Sequence, residues 1–383
     1  MPSEEGSTRP ITSYAMGQLE LLIVGPSGER TGGIARYIDE QRRHLDGVSV
    51  AEYRTGPGNA DTMVAFVAGV LASLWRMVRF PFRRRPDVVH VHSSYRHSFY
   101  RKAFYVLFVA YVWRRPVVVH VHGSSFDDFL DDASAPVARF QSVVLGAAAA
   151  VVVLSEYWRD VLATRVPDDR IVVLPNAVPT EAYEPAFERD RQHVVFLSNL
   201  IERKGVAEFA AAIDALAARD DAPDFDVTVA GLGPLADRVE ALAEDHEHVT
   251  YRGYVDEAEK RRLLDDATIY ALPTYAEGLP IALLEAMAGG AAIVSTPVGS
   301  IPEVVGDENG RLVPAGDADA LADALYELLR APELVRRMGR RNRERAVEEF
   351  SWEATGDRLE ALYAGLADDA ERRPTVPEHV ESA

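Results

Sequence analysis

The sequence predicts an α/β chain made of two doubly wound parallel-sheet domains that face each other across a cleft. Three observations carry this expectation. Short runs rich in valine and isoleucine, apolar on both faces, alternate with helix-like stretches, as the strands of a buried parallel sheet do. The alternation occurs twice, separated by a charged, proline-containing break at residues 179–192, "PTEAYEPAFERDRQ". With 383 residues the chain also exceeds what a single core usually holds.

The elements follow in order. "QLELLIVG" at 18–25 reads as a first strand, followed by a glycine-containing loop and a helix from about Ile34. The runs at 86–94 and 116–125 are each introduced by proline and end in small polar residues; the helical stretch between them makes a βαβ unit. Strand-like runs at 150–155 and 170–178 flank "EYWRDVL". After the break come strands at 193–200, 226–233, 249–255, 268–274 and 291–297, with helices at 205–219, 235–245, 257–265 and 281–288 between them. The expected division is therefore a flexible start (1–17), a first domain (18–180), a second domain (190–350), a helix crossing back to the first domain (351–366) and a loose acidic tail (367–383).

Composition narrows the function classes. There is no cysteine, which excludes disulfides, thiol catalysis and cysteine-based zinc sites. The polar start "MPSEEGSTRP" lacks a signal-peptide pattern, so a cytoplasmic protein is expected. The apolar runs at 103–113 and 143–154 are shorter than the roughly 20 residues needed to span a bilayer. A formal charge of −19 disfavours nucleic acid as a partner. That charge is uneven: residues 75–115 hold nine arginines and Lys102 against the single acid Asp87, interleaved with aromatics. Two readings stand for this segment: an interfacial helix on an anionic membrane surface, placing the protein peripherally on the inner face, or a solvated basic face over ordinary core aromatics.

The candidate site centres on residues 274–290, "TYAEGLPIALLEAMAGG". The turn Gly278-Leu279-Pro280 leads into a helix at Ile281, where uncapped backbone N–H groups can hold an anion. Glu277 in the loop and Glu285 near the second helical turn would flank those donors and accept hydrogen bonds from sugar hydroxyls. A nucleotide-sugar needs both kinds of contact; a capped helix with two solvated acids is the competing reading. Arg203 and Lys204, at a strand-to-helix junction, suit a diphosphate leaving group, against the alternative of a solvated surface lysine. Gly32 and Gly33, just before the first helix, let the backbone approach a bulky ligand closely at a helix start that favours an anion, although on its own the motif reads better as a plain tight turn; their spacing does not match the dinucleotide fingerprint, so no nicotinamide cofactor is expected. His122 ends its strand at the carboxyl edge, where open α/β sheets bind ligands, and is read as contacting a sugar. With His120, His90 and His92 it invites a metal reading, set aside because no aspartate or glutamate falls at ligand spacing.

The segments "GGIARYI", "HVHGSSF", "VVVLSEYWRDVL", "LPNAV", "FLSNLIERKG", "VAGLGP", "YRGYV" and the glutamate block occur in the order seen in glycosyltransferase family 4, which the chain resembles over roughly residues 18–365. The resemblance implies the GT-B fold and a retaining, front-face transfer from a UDP- or GDP-sugar without metal or other cofactor. It also implies roles: Glu277 as the acid near the donor sugar, Glu285 as the acid on the ribose, Lys204 as the diphosphate lysine, Gly33 as the phosphate-proximal glycine, and His122 as the histidine facing the donor sugar. Family members usually carry an arginine five residues before the lysine; here that position is Asn199, and Arg203 or a different residue takes its part.

The expected activity is transfer of a hexose or related sugar to an acceptor hydroxyl, on a lipid-linked or cell-surface glycan, with His122, Lys204 and Glu277 as the catalytic group. The alternatives are a nucleotide-sugar epimerase of the same architecture and a donor-binding subunit without transfer activity. A glycoside hydrolase ranks lower, since its neutral leaving group has no need of the Arg203-Lys204 pair.

Overall fold

The computed structural model describes residues 18–26, 33–55, 63–189 and 191–372. Expectations for residues 1–17, for Gly32 and for the tail beyond Arg372 fall outside the described residues.

The described residues form two six-stranded, all-parallel sheets. The first contains β1 (Leu19–Gly25), β2 (Val48–Arg54), β3 (Val88–Ser93), β4 (Val117–Val121), β5 (Ala150–Val153) and β6 (Ile171–Val173), in the spatial order β2-β1-β3-β4-β5-β6. The second contains β7 (Gln192–Leu197), β8 (Phe225–Ala230), β9 (Val249–Tyr251), β10 (Ile269–Leu272), β11 (Ala292–Ser295) and β12 (Gly310–Leu312), ordered β12-β11-β10-β7-β8-β9. Each order reverses once, between β1 and β3 and between β7 and β10. A crevice opens at the carboxyl ends of strands at such a switch.

Two edge strands and several helices escape the sequence pattern. β2 is half-exposed and interrupted by Glu52 and Arg54, so it lacks the apolar run of its neighbours, and β12 is only three residues long. The central strands β3, β4, β5, β10 and β11 are buried along their whole length, which is why their runs are legible. The final helix runs Trp352–Arg372 and does not stop at residue 366. Leu359, Tyr363 and Ala367, four apart on one helical face, pack into the same core as Leu19, Leu21 and Ile23 of β1, and that face carries the helix onward.

The basic, aromatic segment 75–115 divides between its two readings. Phe80, Phe99 and Tyr105 are core residues, since β3 and the helix His97–Phe108 fold inward. Lys102 is buried as well, against the expectation of a surface cation. Exposed apolar side chains lie at both ends of the segment: Leu71, Leu74, Trp75 and Val78 on the helix Met63–Arg79 with Phe82 just beyond it, and Tyr111 and Val112 near its close, each more than half exposed.

The two sheets are joined by specific contacts. The Val178 N–H donates to Phe350 O at 2.8 Å where the outgoing and returning chains cross. The Glu303 carboxylate accepts from the N–H groups of Glu156 (3.0 Å) and Tyr157 (2.7 Å), placing a second-sheet acid on the N-terminus of the helix Glu156–Ala163, where the helix dipole favours it.

Candidate nucleotide-sugar cleft

A cleft of about 360 Å³ lies between the two sheets at their switch points. The residues after β1, β3 and β4 line one wall through Gly33, Ser94 and His122; those after β7 and β10 line the other through Arg203, Lys204 and Glu277. The Gly278-Leu279-Pro280 turn and Ile281 form part of its floor. The structure thus brings together every sequence-predicted site residue that it describes except Glu285.

Backbone geometry places the cations. Gly205, directly after Lys204, has φ +72°, and a side chain there would collide with the Pro273 carbonyl. Only glycine lets the loop after β7 lie this close to the end of β10, which sets Lys204 against Glu277. Lys204 Nζ is paired with Glu277 Oε1, Thr274 Oγ1 lies 3.2 Å from the same oxygen with its one proton shared with Arg203 O at 2.9 Å, and Arg203 Nη1 is 3.7 Å from that Glu277 oxygen. Arg203 also donates to Ala276 O, so its guanidinium stands in the cleft, whereas Asn199 is not among the lining residues. Glu277 is buried, and its second oxygen has no hydrogen-bond partner in the described chain, leaving it available to a ligand.

The turn is held from the opposite domain. Asn176 Nδ2 donates to Leu279 O at 2.7 Å and Trp158 Nε1 to Gly278 O at 3.4 Å. With these carbonyls tied back and no side chain capping the helix at Pro280, the N–H groups of Ile281 and Ala282 have no partner among the described residues, while that of Leu283 turns back to Pro280 O at 3.2 Å. Asn176 stands in the quoted "LPNAV" but its role was not foreseen, because only the fold brings it across to residue 279.

Glu285 departs from its expected placement. It lies outside the main cleft, on the wall of a small adjoining recess of about 20 Å³ that also contains Arg36, Tyr37, Glu257 and Trp352. Its helix is buried on nearly every side, and a buried carboxylate needs a cation. Lys260 supplies it at 2.5 Å, bonding also to Glu257 at 2.9 Å, which in turn pairs with Arg36 of the first domain at 2.5 Å. Lys260 was missed, although the scarcity of lysine was a signal. Of the three lysines in the chain, Lys102 and Lys260 are buried and Lys204 has a side chain only 11% exposed.

His122 lines the first-domain wall, 6% exposed, with its Nε2 2.9 Å from His92 Nδ1. Burial pushes its imidazole down to about 3, so it is neutral at ordinary pH. The donor atoms of His90, His92 and His120 lie within 4.8 Å of one another, which reopens the metal reading on distance. The chemistry of the set opposes it: both nitrogens of His92 are engaged, by His122 and by Gln41 Oε1 at 2.9 Å, so that ring has no lone pair left for a cation.

Comparison with known proteins agrees with this architecture. The family described as Glycosyl transferase 4-like domain matches residues 17–177, and that described as Glycosyl transferases group 1 matches residues 191–331, one on each sheet. The chain is 33% identical over 202 residues to an MMP alpha-(1->4)-mannosyltransferase of Mycolicibacterium hassiacum, covering 52% of this chain and 49% of that protein. It is 32% identical over 254 residues to a GDP-mannose-dependent alpha-(1-6)-phosphatidylinositol monomannoside mannosyltransferase of Mycolicibacterium smegmatis, covering 60% and 66%. The matches thus span about half to two thirds of the length of these curated relatives. Among solved structures, sucrose-phosphate synthase from Thermosynechococcus elongatus superimposes with a TM-score of 0.71 at 18% identity over 92% of this chain and all of the other. Anabaena HepE, solved with UDP and glucose, gives 0.68 at 15% over 91% and 100%. The fold is GT-B, and with a family match on each of its two sheets the chain belongs to glycosyltransferase family 4.

Proposed function

We propose that this protein is a retaining glycosyltransferase that moves a sugar from a UDP- or GDP-sugar to an acceptor hydroxyl, without a metal or other cofactor. The observation that carries the reading is the grouping of Lys204, Arg203 and the uncapped helix start with Glu277 on one wall, opposite His122 on the other. A diphosphate seated on the cations and the helix start leaves the sugar between the free Glu277 oxygen and the His122 ring. In the reaction the bond from the anomeric carbon to the diphosphate breaks and the acceptor oxygen bonds to the same face of that carbon. The acceptor's proton leaves with the departing phosphate oxygen. Positive charge already in place at that oxygen lowers the barrier without reorganisation, the main way a protein assists such a step. The relatives named as mannosyltransferases support a hexosyl donor.

A panel of nucleotide-sugars tested for thermal stabilisation is the direct test. A UDP- or GDP-sugar present at 100 times its dissociation constant should stabilise by about 2.7 kcal/mol. No stabilisation by any of them would overturn the assignment, and conversion of a donor with no acceptor present would point to an epimerase.

The acceptor in this proposal is lipid-linked and met at an anionic membrane surface. The exposed row Leu71, Leu74, Trp75, Val78 and Phe82 lies beside Arg79, Arg83, Arg84 and Arg85, an apolar strip edged by cations as interfacial helices have. Among the described residues no helix is long and apolar enough to cross a membrane. The chain should co-sediment with vesicles containing anionic phospholipid at low salt, and a Leu74→Glu, Trp75→Glu variant should lose about 10-fold in partitioning. Equal sedimentation of both proteins would remove the membrane from this account.

A further inference from the structure

The four histidines of β3 and of the end of β4 form a single buried stack. Parallel register sets His92 beside His120. Ring centroids lie 4.4 Å apart for His90 and His92, 4.0 Å for His120 and His122, and 5.1 Å for His92 and His122. Burial depresses all four, so none carries charge at neutral pH. A neutral imidazole has one N–H and one lone pair, and its neighbours decide which nitrogen holds which.

Here the neighbours form a directed chain. Gln41 on the helix Gly33–Arg43 donates through Nε2 to Tyr363 Oη at 2.8 Å, and Tyr363 Oη is hydrogen-bonded to His90 Nδ1 at 2.6 Å. With the amide nitrogen on Tyr363, Gln41 Oε1 faces His92 and accepts from its Nε2 at 2.9 Å. His92 Nδ1 is then a lone pair, and His122 Nε2, 2.9 Å away, must donate to it. The lone pair of His122 is left on Nδ1. That atom has no partner within the described chain and, unlike both nitrogens of neighbouring His120, is not enclosed. It is open to the cleft that His122 lines.

We infer that Gln41 and His92 are positioning residues that hold His122 in its Nε2–H tautomer, so that His122 presents a lone pair to the cleft and accepts a hydrogen bond from a hydroxyl of the bound sugar. This rests on the reading of the cleft as a donor-sugar site. The relay begins at Tyr363, on the helix Trp352–Arg372, and so ties the returning helix to the ring that faces the ligand. A donor lacking the contacted hydroxyl would leave a neutral, unpaired acceptor and be handled poorly, whereas an Nδ1–H tautomer would meet a hydroxyl equally well but prefer a carbonyl or an ether.

The tautomer is read directly from the imidazole nitrogen resonances of the ¹⁵N-labelled full chain. The nucleotide-free protein should show His122 protonated on Nε2. Gln41→Leu and His92→Phe should each convert it to a tautomer mixture and lower kcat by about 10-fold, with the KM for the donor changing less than about 2-fold. Gln41→Glu, whose protonated carboxyl offers the same acceptor and donor, should restore the single tautomer and most of the rate. A wild-type His122 protonated on Nδ1, or a tautomer indifferent to both Gln41→Leu and His92→Phe, would overturn the relay. The expected tautomer together with a His122 Nδ1 resonance that no UDP- or GDP-sugar perturbs would leave the relay standing but refute the donor-site reading, and with it the sugar contact.

Discussion

Replacing Lys204 by alanine should lower turnover by about 10²–10³-fold, the loss usual when one preorganised group facing a developing negative charge is removed. The effect should fall on kcat more than on the KM for the acceptor, because the charge on the leaving diphosphate grows as the bond breaks. The variant also releases Glu277, whose Oε1 would keep only Thr274 and the more distant Arg203 as partners. For that reason Lys204→Arg is the informative companion. It retains the charge but not the compact ammonium geometry, and should recover part of the rate. Initial rates measured across acceptor concentrations decide the matter. A Lys204→Ala enzyme with undiminished kcat would remove Lys204 from the mechanism.

Mild acid should unfold the protein, with the onset of instability below about pH 6.5. The histidine stack sets this. In the fold His90 and His122 are pushed down to about 3 and His92 and His120 well below their ordinary value of 6.5, in each case chiefly by burial. Below pH 6.5 the unfolded chain therefore binds protons that the folded chain refuses. The stabilisation is fully present above 6.5 and is lost as pH falls toward 3. Each ring contributes a slope of about 1.4 kcal/mol per pH unit in that window. Four rings acting together would exhaust a typical stability of 5–15 kcal/mol within one to three pH units. Lys102, whose charge acts on His92 and His122, is brought down to about 7 by burial, so it adds a slope of the same sign between about 7 and 10.5. The other groups facing the stack, Tyr37 and Tyr363, are raised and stay neutral throughout. Thermal melts from pH 8 to 4.5 provide the check. Since neither ring nitrogen of His120 has a hydrogen-bond partner among the described residues, His120→Phe should cost little at pH 8 and flatten the acid slope by one proton. A midpoint constant from pH 7 to 5 would contradict this account.

Much of the fold was legible because parallel sheets are buried on both faces. β3, β4, β10 and β11 have no alternation to obscure them, and their runs can be read without any partner. Edge strands share that sheet but not its burial. β2, half-exposed and carrying Glu52 and Arg54, therefore reads as ordinary surface. Segment 75–115 shows the same limit: its aromatics look alike in sequence, but Phe80 and Tyr105 are enclosed while Trp75 and Phe82 stand in solvent, a difference set by which helix face meets the sheet.

For the site, the sequence alone fixed which residue types sit after which strands, and thus placed Gly33, His122, Arg203, Lys204, Glu277 and the turn at 278–281 at strand ends. Local order is enough for that, since a strand followed by a helix puts the intervening residues at a sheet's carboxyl edge. Partnerships between residues far apart in the chain needed the tertiary structure. It gave Glu285 to Lys260, set Asn176 on Leu279, and ran Gln41, His92 and His122 into one hydrogen-bonded line. A buried polar atom must be paired, and which atom lies within about 3 Å of it depends on packing between elements, which no local pattern records.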